Sequence, residues 1–69
     1  MKASIEERLA LLLAIKEPGK SVDFDHLYSK VARDVEAAEH RKVSVEEVRR
    51  VLDEMVKRGV VLKTKEGFT

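Results

Sequence analysis

The sequence predicts a mainly α domain of three helices closed by a short β-hairpin. Two Ser-x-x-Glu capping signatures, Ser4–Glu7 and Ser44–Glu47, each open a run of apolar residues at 3- and 4-residue spacing. A third run of the same period follows Asp23 and Asp25. After the last helix, Gly59 is a stop signal, Val60–Thr64 reads as a strand, and Lys65-Glu66-Gly67 reads as a turn.

Each element has its own reason. In the first helix Ile5, Leu9, Leu12 and Leu13 share one face, and Pro18-Gly19 lies beyond its end. Lys20-Ser21-Val22 is a candidate edge strand. The second helix starts at Asp23 or Asp25, carries Phe24, Leu27, Tyr28, Val31, Val35 and Ala38 as its stripe, and is placed to end near Ala38. That end is poorly marked, because Glu39-His40-Arg41-Lys42 contains neither glycine nor proline. The third helix turns Val45, Val48, Leu52, Met55 and Val56 inward and closes on Lys57 and Arg58, cations suited to the C-terminal dipole.

Sixty-nine residues make a single domain, 1–69, whose core is barely sufficient. Without cysteine, neither a disulfide nor a thiolate metal site can reinforce it. Hydrophobic residues at 43% beside charged residues at 39% fit a folded domain rather than a disordered tail. No apolar run nears the roughly 20 residues of a membrane span. The N-terminal MKASIEERLA places acids before its apolar run, unlike a signal peptide, so a cytoplasmic protein is expected. The absence of Asn and Gln, with charge carried by Lys, Arg and Glu, points to a thermophilic source.

The order helix, short strand, helix, helix, strand, turn resembles the winged helix-turn-helix superfamily over nearly the whole chain. Its best carriers are Leu52-Asp53-Glu54-Met55-Val56-Lys57-Arg58-Gly59-Val60-Val61, similar to the leucine, apolar pair, basic residues, glycine and apolar pair that lead into a wing. Ser4-Ile5-Glu6-Glu7-Arg8-Leu9 and the capped third helix are similar to the C-terminal winged-helix domain of archaeal minichromosome maintenance helicases. The resemblance implies a third helix entering the major groove of double-stranded DNA and a wing reaching flanking backbone or minor groove. It implies a small archaeal regulator of transcription or a DNA-replication module. Only two residues follow Gly67 in the sequence, so such a wing would be short, and Phe68 reads as a lid on the core, with base stacking beside Lys65 as the alternative.

Charge is divided unevenly. Residues 1–39 hold 6 basic and 8 acidic side chains, net −2, whereas residues 40–69 hold 8 and 5, net +3. The surplus selects Arg41, Lys42, Arg49, Arg50, Lys63 and Lys65 as phosphate-contacting candidates, which would give salt-sensitive binding with little sequence readout. A competing feature lies on the same helix. Glu46–Arg50, Asp53–Lys57 and Glu54–Arg58 are spaced for internal ion pairs, which would leave a self-compensated, solvated face.

A second lead is the first helix. Leu9 to Ile15 is apolar all round, and Leu11 and Ile15 point away from the core face. They are candidates for a homodimer or protein-partner contact, and an adaptor without DNA binding is the alternative function. His26 and His40 lack ligand partners at zinc-like spacing, and the glycines are scattered singly in turns. No metal, cofactor, catalytic constellation or small-molecule substrate is therefore expected.

Overall fold

The computed structural model of the chain describes residues 4–69; Met1, Lys2 and Ala3, part of the segment weighed above as a leader, lie outside the described residues. The protein is mainly α, with α1 (Ile5–Ile15), α2 (Phe24–Glu39) and α3 (Val45–Lys57). Each helix starts where a side chain can satisfy its free N–H groups. Ser4 Oγ accepts from the Glu7 N–H at 3.1 Å, Asp23 Oδ1 from the His26 N–H at 2.8 Å, and Ser44 Oγ from the Glu47 N–H at 3.1 Å. Such caps contribute about 1 kcal/mol each. The two box glutamates diverge: Glu7 Oε1 accepts from Ser4 Oγ at 3.4 Å, while Glu47 Oε1 lies 3.7 Å from Arg41 Nη1.

The end of α2 falls one residue beyond the sequence expectation. His40 takes the left-handed conformation, φ 55°, and its N–H donates to the Glu36 carbonyl. Histidine tolerates this region better than most side chains do, so the helix stops without the usual glycine. α3 closes as expected, with Arg58 as its cap and Gly59 at φ 78°.

The core takes Ile5 and Leu9 from α1, Leu27, Val31 and Val35 from α2, and Val48, Leu52 and Met55 from α3, with Val43, Val61 and Phe68 from the connecting segments. Leu12 and Leu13 are only half-buried against it. Two assignments to the apolar stripes need correction. Ala38 is exposed, and Val45 is 41% exposed. Val45 shares the register of Leu52 but stands at the first position of α3, beyond the packed layer; the half-buried Val51 packs in addition to the expected set.

The β-hairpin wing is also corrected. Among the described residues there is no strand, only isolated antiparallel bridges joining Phe68 to Val22 and to Lys63. The segment is nonetheless pinned. Val22 and Phe68 exchange two backbone hydrogen bonds at 2.8 Å, and Leu62 and Thr69 exchange two at 3.0 and 2.9 Å. The Ser21 and Thr64 hydroxyls lie 2.6 Å apart. Gly67 is required here: its φ is 151°, and a Cβ would stand 2.2 Å from the Val22 carbonyl oxygen. Phe68 is 6% exposed, the core lid expected of it.

Candidate nucleic-acid interface

The exposed face of α3 is built differently from its sequence pattern. None of the three spaced acid–base pairs forms among the described residues. Glu54 instead lies 4.0 Å from Lys57, Arg58 crosses to pair with Glu6 of α1, and Glu47 pairs with Arg41. A solvated pair within a helix is worth only a few tenths of a kcal/mol, so contacts to neighbouring elements readily displace it. Arg50 thereby stays exposed and without an acidic partner among the described residues, as do Lys42, Lys63 and Lys65.

Arg41 has a different role. Its Nε donates to Glu39 Oε1 at 3.1 Å, and its Nη1 faces Glu47 Oε1 at 3.7 Å. Glu39 also faces Arg8 Nη2 at 3.8 Å; both of those side chains are largely buried, and Arg8 Nε has no hydrogen-bond partner among the described residues. Arg8, Glu39, Arg41 and Glu47 thus form one chain of charges joining α1, the end of α2 and the start of α3. Arg41 lines a cleft of about 490 Å³ with Glu6, Glu7 and Glu47. Three carboxylates around one guanidinium disfavour a phosphate there.

Arg49 is positioned by an aromatic pair that the apolar pattern concealed. Its Cζ lies 4.3 Å from the centroid of the Phe24 ring, within cation–π range. Phe24 stacks on Tyr28 at 6.2 Å and 16°. The Tyr28 hydroxyl donates to the Val43 carbonyl at 2.8 Å. The i, i+4 spacing of the two rings is the available signal, and the same spacing fits a core stripe.

These contacts connect the segments that carry the basic groups. Lys42 adjoins Val43, which holds Tyr28; Tyr28 stacks on Phe24, which carries Arg49. Two residues before Phe24, Val22 pairs with Phe68, which pairs with Lys63. Arg49 alone lies on the half-exposed aromatic pair; Lys42 and Lys63 belong to segments tied to it through Val43 and Val22, Arg50 follows Arg49 in α3, and Lys65 stands in the turn.

The other outward surface is apolar. Leu11 is 63% exposed and Ile15 71%. Beside them lies a groove of about 350 Å³ with Ala10 and Ala14 on one side and Val60 and Val61 on the other. Among the described residues no cluster of His, Cys, Asp or Glu could hold a metal ion, and no helix is long and apolar enough to cross a membrane. Comparisons with protein-family models, with curated proteins and with solved structures give no match.

Proposed function

We propose that this chain is a nucleic-acid-binding module of winged-helix type, with α3 as the groove-facing helix and the paired C-terminal segment as a clipped wing. The element order supports this reading: a bridge residue lies between α1 and α2, and a five-residue connection precedes the capped α3. The observation that carries it is that Lys42, Arg50, Lys63 and Lys65 are exposed and without an acidic partner among the described residues, while Arg49 is held over the Phe24 ring. Four to five such cations would hold phosphates on duplex DNA and position the module with little sequence readout. Arg41 drops out of the contacting set and acts as a brace that orients the start of α3. A regulatory or replication-associated role fits a domain of this kind.

The test follows from that division. Lys42→Glu with Lys63→Glu should reduce duplex affinity at least tenfold in a fluorescence anisotropy titration and flatten its salt dependence by about two contacts. Arg41→Gln should leave the salt slope unchanged. Wild-type binding by the double reversal would refute the assignment.

A second reading, a protein-interaction adaptor, is favoured by the apolar groove at α1 and by Glu46 at the end of α3 that would meet phosphates. It predicts association that is nearly indifferent to salt.

A further inference from the structure

The aromatic residues of the chain are Phe24, Tyr28 and Phe68, and they are used differently. Phe68 is buried in the core, whereas Phe24 and Tyr28 stand half-exposed on α2. Their rings are nearly parallel, with centroids 6.2 Å apart and 16° between planes. The Tyr28 hydroxyl is fixed by the Val43 carbonyl at 2.8 Å, so the pair is tied to a segment outside α2. An ordered aromatic surface that still meets water suits a planar ligand.

What lies on that surface narrows the ligand. Arg49 Cζ stands 4.3 Å from the Phe24 centroid, so the guanidinium covers one face of the ring. Arg49 is itself exposed and has no acidic partner among the described residues. An apolar side chain from a partner protein would meet a cation here instead of hydrocarbon. A carboxylate alone would use the cation and leave the rings idle. A nucleotide uses both: its base stacks on the guanidinium plane, and its phosphate accepts from the N–H groups at the edge. Of the acids beside Phe24 in sequence, Asp23 is committed to the His26 N–H, and Asp25 is turned about 100° around α2 from Phe24.

Position decides which nucleotide. Consecutive helix residues diverge by about 100°, so Arg50 points out from α3 while Arg49 leans back onto α2. A base inside a duplex has both faces covered by its neighbours, and only an unpaired one has a face to offer. We propose that Arg49, backed by Phe24 and Tyr28, is a stacking site for an unpaired nucleobase at the edge of the bound duplex. The preferred partner is then a DNA duplex with a single-stranded tail rather than a continuous one. This inference rests on the nucleic-acid reading above and deepens it.

Fluorescence anisotropy with three labelled oligonucleotides tests it: a blunt duplex, the same duplex with a short adenine tail, and that tail with an abasic first position. The wild type should bind the tailed duplex about 5- to 100-fold more tightly than the blunt one, the range that one stacked base supplies. The abasic tail should bring affinity back near the blunt value, although its phosphates are unchanged. Arg49→Lys keeps the charge but removes the plane, and should bring the tailed-to-blunt ratio close to one. Reading the ratio within each variant cancels any change in phosphate contact or stability. A fluorescent adenine analogue at the first unpaired position should change its emission on binding wild type and not on binding Arg49→Lys. A wild-type ratio of one, a gain that survives the abasic position in full, or a gain that survives Arg49→Lys would each overturn the stacking site. Blunt-duplex binding separates the two claims. With it intact, such a result removes the stack alone, whereas no binding to any of the three oligonucleotides removes the interface as well.

Discussion

α1 and α3 pack against one another through buried stripes, yet their outward faces are opposite in character. On α3 the outer positions are Glu46, Arg50, Asp53, Glu54 and Lys57, all charged and well solvated. On α1 the corresponding surface is Ala10, Leu11, Ala14 and Ile15, with no charge between Arg8 and Lys16. The α3 face is stable in water by itself, and its unpaired cations are available to an anion. The α1 face gains only by being covered. In so small a domain, surface composition therefore separates two faces that the shared helical packing does not.

The largest expected effect tests the two sides of α1 directly. Leu9 is fully buried, so Leu9→Ala should lower stability by about 2–5 kcal/mol in urea denaturation. Leu11→Ala, two residues away, should change monomer stability by less than about 0.5 kcal/mol in dilute solution. Equal costs would mean that the outer face is not free, and the contrast with α3 would fail. Gly67→Ala comes next. A Cβ at φ 151° against the Val22 carbonyl should cost roughly 2–4 kcal/mol, releasing the C-terminal segment from the loop before α2. It should also weaken DNA binding by displacing Lys63 and Lys65. Arg49→Ala removes the guanidinium from Phe24, at a stability cost of about 0.5–1 kcal/mol. Smallest is a gain: His40→Gly relieves a left-handed histidine and should raise the unfolding free energy by about 0.5–1 kcal/mol in urea denaturation. A loss there would show that the His40 side chain has a positive role at the α2–α3 junction.

The three helices were legible because their signals are local. Ser4, Asp23 and Ser44 sit directly before periodic apolar runs, and each caps the helix it announces. The wing was misjudged because strand propensity in Val60–Leu62 carries no information about how much partner strand is present. The described residues pair there only through the two bridges at Phe68 and the Leu62–Thr69 hydrogen bonds. At the candidate site, charge type was readable but charge partnership was not. Arg41 and Arg50 look alike in sequence; one is held by Glu39 and Glu47 from two elements, and the other is open. Which acid reaches which base depends on helix packing, and spacing within a single helix predicted three pairs that the fold replaces with others. The outward direction of Leu11 and Ile15 was legible, since it follows from 3.6-residue geometry alone. The floor of Ala10 and Ala14 that makes their surroundings a groove was not, because it depends on where the chain returns after Gly59.

The most direct test of the basic interface is the salt dependence of wild-type binding to a labelled random duplex, followed by fluorescence anisotropy. Four phosphate contacts, through Lys42, Arg50, Lys63 and Lys65, imply a slope of log affinity against log salt near about −3.6, or a loss of roughly 10²-fold between about 50 and 200 mM. That result, shared by Leu11→Glu, would place nucleic-acid binding on the α3 side and separate it from the α1 face. No binding at low salt, or an affinity that does not change with salt, would contradict the account.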